Sequence, residues 1–324
     1  GDLARQRRAG AAAGGVGGRK IEVVLEDDKC TPDQAVRSVR KLIADSSILA
    51  ILGLPCSAVA AAMPNIVRGA ELAVLSASAS GAPAKGAVEN MFYVSPSTYN
   101  QGRGLIKWAA SARGAKRIAL LRATDAYGSL SYDGILSYIS QMGLELVADE
   151  AANRDASDIT AQFASIRKAN PDVVLLAVYP TTAALYLRQT LRTDFKAPTL
   201  AMAAAEPVVD LVEPAALANF HTLTAYAAPV GDPKIQSYVD EYLRRHPEYA
   251  RGSLLIEAIS RVKGELTRSS LRDGFKSIQG FTPKAPSAAC AFDFTKQGNE
   301  GVSCATLMRF EGNKRIAIQA VDGY

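Results

Sequence analysis

The sequence predicts an α/β protein of parallel sheets flanked by helices, divided between two lobes. Strand-like apolar runs alternate with amphipathic stretches over most of the chain, the signature of βα units. Its 324 residues are long for one core and comfortable for two. A late section without that alternation implies that the chain leaves one lobe and returns to it.

Ile21–Glu26 reads as the first strand, running into Asp27-Asp28-Lys29-Cys30. Thr31-Pro32-Asp33-Gln34 then opens a helix, with Thr31 as cap and Pro32 at the first helical position. Ala35, Val36, Val39, Leu42 and Ile43 form its apolar face. Further strands are expected at Ile48–Leu52, Ala73–Ser76, Arg117–Leu121, Leu144–Val147, Val173–Val178, Thr199–Met202 and Thr222–Tyr226. Ser157-Asp158-Ile159 opens another helix, with Ile159, Phe163 and Ile166 facing inward. Residues 248–275 read as helices without intervening strands, and 289–320 as antiparallel strands. Crossings between lobes are expected at Ser95-Pro96-Ser97, at Ala227-Ala228-Pro229-Val230 and after Cys304. One lobe then comprises residues 1–96 and 229–303, the other residues 97–228 and 304–324.

Composition removes several function classes. Hydrophobic residues make up 48% and charged residues 21%, the balance of a globular chain. No apolar run approaches the roughly 20 residues of a membrane span. No secretory leader is evident, as expected of a mature or a recombinant form. The net charge of +5 comes from scattered side chains such as Arg103, Lys107, Arg113, Lys116 and Arg117, without a block that would track nucleic acid. Gly14 to Gly18 precede a strand, whereas a dinucleotide loop follows one; GxxxxGK[ST] and GxSxG are absent. Asp27 and Asp28 are strand neighbours pointing to opposite faces, a poor acid–base pair. No enzyme and no cofactor are indicated.

Four cysteines without CxxC spacing and only two histidines argue against zinc. By position they pair as Cys30–Cys56 and Cys290–Cys304, the second pair flanking the turn-rich Thr295–Gly301. Disulfides would place the chain outside a reducing cytosol; four buried thiols are the alternative. Two neighbouring strand ends tied at the carboxyl edge of a parallel sheet would lie where α/β proteins bind ligands. Ser57 would sit there at the start of a helix, its hydroxyl and nearby amides making a corner for an anion such as a carboxylate. A helix cap is its other reading.

Several stretches, in order and at matching spacing, resemble the leucine/isoleucine/valine-binding protein family, the type I solute-binding proteins of ABC importers. They are Ala13-Gly14-Gly15-Val16-Gly17-Gly18-Arg19-Lys20-Ile21-Glu22, Glu26-Asp27-Asp28-Lys29-Cys30-Thr31-Pro32-Asp33-Gln34-Ala35-Val36, Gly53-Leu54-Pro55-Cys56-Ser57, Ser76-Ala77-Ser78-Ala79-Ser80, Gly114-Ala115-Lys116-Arg117-Ile118-Ala119, Asp125-Ala126-Tyr127-Gly128 and Ala169-Asn170-Pro171-Asp172-Val173-Val174. The resemblance implies a two-lobed type I periplasmic binding protein with three interlobe crossovers and a Cys30–Cys56 disulfide. It implies a periplasmic, non-catalytic monomer that holds an amino acid or related solute and hands it to an ABC permease. A ligand-sensing domain of a receptor or regulator is the alternative on the same fold.

The resemblance also assigns a site. Ser57 would bind the ligand carboxylate, with further donors at Ser78 and Ser80. Tyr127 and Tyr179 would close over the ligand from the second lobe. Amino-acid binders of the family place an acidic residue after the strand equivalent to Thr199–Met202, for the ligand ammonium. Here that segment is Ala203-Ala204-Ala205-Glu206-Pro207, with Glu206 a short step displaced. A reachable Glu206 favours a branched-chain or related amino acid; an unreachable one favours an amine-free aromatic or aliphatic acid. The slight displacement of Glu206, within the reach of a loop shift, favours the first. The family also opens with a central strand and a site-lining loop for which this sequence, starting at Gly1-Asp2-Leu3, has no counterpart.

Overall fold

The computed structural model describes residues 21–78, 88–224, 257–262, 265–281, 290–295, 301–312 and 314–322. Its first sheet has three parallel strands in the order β1 (Ala50–Gly53), β2 (Ala73–Ser76), β3 (Met91–Tyr93). All four residues of β2 are buried, and alternation sends them to opposite faces. Val74 joins Val39, Val59 and Val67 from the helices α1 (Pro32–Ala44), α2 (Ser57–Ala62) and α3 (Pro64–Val67), and Met63 between the last two. Ala73 and Leu75 join Phe92, Leu271, Phe275 and Phe294 on the other face.

The second sheet adds β4 (Arg117–Ala123), β5 (Glu145–Ala152), β6 (Val173–Ala177), β7 (Thr199–Ala201), β8 (Phe220–Thr224), β9 (Cys304–Glu311) and β10 (Lys314–Asp322). Their order is β10-β9-β8-β7-β6-β4-β5, parallel from β5 to β8 and antiparallel at β9 and β10. Ile118, Leu120, Val173 and Leu175 point to the side covered by α4 (Thr98–Arg113) and α5 (Ala126–Met142). Ala119, Leu121, Val174 and Leu176 point to the side of α6 (Thr160–Lys168) and α7 (Pro180–Thr193). Truncating a fully buried leucine such as Leu120 to alanine would cost about 2–5 kcal/mol.

Both cysteine pairs form disulfides, Cys30–Cys56 and Cys290–Cys304, with Cα separations of 5.6 and 6.2 Å. Two further expectations are corrected. Ile21–Glu26 is not a strand: no backbone pairing is found for it among the described residues, and Val23, Val24 and Leu25 are exposed. Its β pattern is sound, but a strand needs a neighbour, and β1 pairs only with β2 among the described residues. Conversely, β3 was not expected. It is entered through buried Asn90, whose amide nitrogen lies 3.1, 2.8 and 2.9 Å from the carbonyls of Val67, Ala70 and Leu72. The crossing at Ala227–Val230 lies outside the described residues, as do Ala225 and Tyr226.

Candidate functional site

The carboxyl ends of the first sheet deliver Ser57 and Ser78. After β1 the chain turns through Gly53 and Leu54, both at positive φ (144° and 53°), before Pro55 and Cys56. Cys56 takes the cap position of α2 and Ser57 its first turn, so the hydroxyl of Ser57 is not the cap. It instead lies 3.2 Å from the hydroxyl of Ser78, which follows β2. Neighbouring hydroxyls are committed to the backbone. Ser76 donates to the carbonyl of Ser78 (2.6 Å), and Ser95 to that of Ala77 (2.7 Å). When one of the Ser57–Ser78 pair donates to the other, a hydroxyl proton stays free for an acceptor. Ser80 lies outside the described residues.

On the second sheet, the turn after β4 carries Asp125-Ala126-Tyr127-Gly128. Asp125 caps α5 by accepting the Gly128 amide hydrogen at 3.2 Å. Gly128 is required there, because a Cβ would lie 1.9 Å from the Ala123 carbonyl oxygen. This close approach fixes Tyr127 just past the strand end. Its ring centroid lies 5.2 Å from that of Tyr179, which follows β6. The Tyr179 hydroxyl donates to Asp125 Oδ2 at 2.8 Å. The Tyr127 hydroxyl is buried without a hydrogen-bond partner among the described residues. Burial pushes both phenols up, Tyr179 to about 12 with a further contribution from Asp125, so both remain donors near neutral pH. α2 packs against α5, bringing the two carboxyl edges together.

Glu206 lies in a 3-10 helix, Ala203–Asp210. Its Oε1 accepts from Arg315 Nε of β10 at 2.7 Å, and a second nitrogen of Arg315 lies 3.5 Å from Asp210. The residues directly after β7 are therefore Met202, Ala203 and Ala204. Ala203 and Ala204, like Tyr179, pack against the large core cluster of which Tyr127 is a member. The backbone amide of Ala203 donates to Gln101 Oε1 (3.1 Å), whose amide nitrogen donates to the Pro96 carbonyl (2.9 Å). Three residues that sequence reasoning missed thus border the site: Asp125, Gln101 and Arg154. The guanidinium of Arg154 lies 4.4 Å over the Tyr179 ring. Asp125 had a signal, as an acidic cap before the tyrosine; Arg154, just after β5, had none.

A parallel sheet and a mostly parallel one meeting at the carboxyl edges of their parallel strands, with polar groups gathered there, define a bilobal solute-binding architecture. The chain belongs to the periplasmic binding protein family, whose profile matches residues 4–315. Members bind solutes and are not enzymes. An amino acid binding protein of Pseudomonas aeruginosa is 26% identical over 179 residues, covering 55% of this chain and 48% of that protein. The match thus spans about half the length of that relative. Leu/Ile/Val-binding protein homolog 7 of Brucella suis is 23% identical over 283 residues, covering 78% of this chain and 70% of that protein. Among solved structures, a leucine binding protein of Thermotoga maritima superposes with a TM-score of 0.81 at 18% identity, covering 98% of this chain and 92% of that one. A solute binding protein of R. palustris in complex with benzoate gives a TM-score of 0.78 at 20% identity, covering 97% and 89%. These likenesses show the type I fold.

Proposed function

We propose that this chain is the extracytoplasmic solute-binding component of an ABC importer, periplasmic and monomeric, which delivers a small carboxylate-bearing solute to a membrane permease. Candidate solutes run from branched-chain and related amino acids to aromatic and aliphatic acids. The observation that carries this reading is the Ser57–Ser78 hydroxyl pair at the carboxyl edge of the first sheet, with a proton free for an acceptor. A carboxylate is the acceptor that gains most from such donors, since charge-assisted hydrogen bonds are roughly twice as strong as neutral ones. Tyr179, half-buried, with Tyr127 buried against its ring, would form the opposing wall and offer ring area to an apolar body. Two disulfides suit an oxidising compartment.

The lobes proposed are residues 1–96 with 229–303 and 97–228 with 304–324, closing about Ser95–Ser97 on the solute. A thermal-shift screen of carboxylates tests the reading. A ligand at 100 times its Kd should add about 2.7 kcal/mol of stability. Small-angle scattering of the hit complex should show a smaller radius of gyration. No stabilisation by any carboxylate would refute the proposal.

A further inference from the structure

We infer, resting on the hinge closure proposed above, that the Cys290–Cys304 disulfide is a staple between the lobes. It pins the strand that enters the second sheet to the first lobe, and so fixes the pivot about which the lobes open and close.

The two cysteines belong to different lobes. Cys304 is the first residue of β9 and pairs with Asp322 of β10 in the second sheet. Cys290 stands just before Phe292, which exchanges backbone hydrogen bonds of 3.0 and 2.7 Å with Phe281. The Phe294 amide donates to the Ile278 carbonyl at 2.9 Å, and both Phe292 and Phe294 belong to the cluster around Leu75 and Phe92 of the first sheet. The crossing that the bond spans is short. Gly301 donates its amide to the Tyr93 carbonyl of β3 at 2.9 Å, so only Val302 and Ser303 separate a bond to the first sheet from the start of β9. Tyr93 leads into the other crossing, where Val94 donates to the Ser76 carbonyl at 3.0 Å and Ser97 caps α4. The two crossings therefore leave the first sheet side by side, and a rotation of the second lobe turns about both. Cys304 is buried in the same cluster as Phe92, Phe275 and Phe294. It is part of the second sheet by its ladder and of the first lobe by its packing. A covalent tie at that point leaves few open arrangements, so less freedom is lost on closing round a solute.

Single-molecule energy transfer on the full chain without ligand tests this. Arg40 on α1 and Lys168 on α6, both exposed, are each replaced by p-acetylphenylalanine to carry the dyes, so that no cysteine is added. Two variants break the bond. Cys290→Ser changes the exposed partner and keeps Cys304 in its apolar cluster, and Cys290→Ala/Cys304→Ala removes both thiols. Native circular dichroism and an intact Cys30–Cys56 bond on peptide mapping qualify each preparation. The spread of interlobe distances should widen roughly twofold in both variants. An unchanged spread would overturn the inference, even where amide exchange at residues 302–305 quickens, because the effect of the bond would then be confined to the crossing itself. In that case, contraction of the wild type on binding a carboxylate from the thermal-shift screen, measured by scattering, would leave hinge closure standing. No widening and no contraction would overturn staple and closure together.

Discussion

The hydroxyls of Ser57 and Ser78 lie 3.2 Å apart although 21 residues separate them in sequence. The pairing follows from parallel β1 and β2 in register, Gly53 opposite Ser76, so the two strand ends deliver their loops to the same point. A bound carboxylate is expected to take a hydrogen bond from this pair.

Ser57→Ala and Ser78→Ala should each weaken ligand binding by about 1.5–3 kcal/mol, the range for a hydrogen bond to a charged group. Because the hydroxyls bond to one another, the double variant should lose less than the sum. Calorimetry of the single and double variants checks both statements. Full affinity in Ser57→Ala would remove this residue from the site.

Tyr127 and Tyr179 should separate in a simple test. The Tyr127 hydroxyl is buried without a partner among the described residues, so Tyr127→Phe should leave the ligand-free protein as stable as before, or up to about 1 kcal/mol more stable. Tyr179→Phe removes a donor to Asp125 and should cost about 1–2 kcal/mol. Chemical denaturation without ligand gives both values. A large loss in Tyr127→Phe would mean that the hydroxyl is bonded within the protein.

The fold was legible where burial is symmetric. Val173–Ala177 is apolar throughout because both faces are covered, and it reads as a strand of a parallel sheet without further help. Met91–Tyr93 was not legible, since three residues are too few for a period and their pairing is supported from outside by Asn90. Ile21–Glu26 shows the converse: a local β pattern does not make a strand when no neighbour among the described residues pairs with it. In the site, Ser57 could be placed from its position after a strand. The bonds Tyr179–Asp125 and Glu206–Arg315 join residues 54 and 109 apart, and nothing local in the sequence reports them. The displacement of Glu206 could be read from the sequence; its partner could not.

The Cys30–Cys56 disulfide closes a separation of 26 residues, for which chain entropy gives about 3–4 kcal/mol. It joins the turn at Lys29 and Cys30, both at positive φ (51° and 57°), to the residue before Ser57. The double variant Cys30→Ala/Cys56→Ala should therefore lose about that stability and also bind ligand more weakly, because the backbone carrying Ser57 is released. Urea denaturation and calorimetry on one preparation measure the two losses. Lost stability with unchanged affinity would show that the disulfide braces the lobe without positioning the serine.

His221 is expected to govern the stability of the protein in mild acid. It lies buried on β8, with its Nε2 3.2 Å from an Arg113 nitrogen and its ring 5.4 Å from that of Trp108. Arg309 is its partner in the register across β9. Burial first, and then the arginines, lower its pKa from 6.5 to about 4. The folded protein thus resists a proton that the unfolded chain accepts. This contribution is fully present above pH 6.5 and is lost as pH falls from there through about 4. Its size is at most about 3.5 kcal/mol, from about 1.4 kcal/mol for each pH unit. Asp45, Asp158, Asp172 and Glu89 have lowered pKa values and lose their contributions at lower pH than ordinary carboxylates do. The loss between pH 6.5 and 5 is therefore expected to belong mainly to His221. His221→Gln keeps an acceptor for Arg113 and does not titrate. Its denaturation free energy should stay flat over that interval while that of the wild type falls. Parallel slopes for the two proteins would show that His221 is not the group responsible.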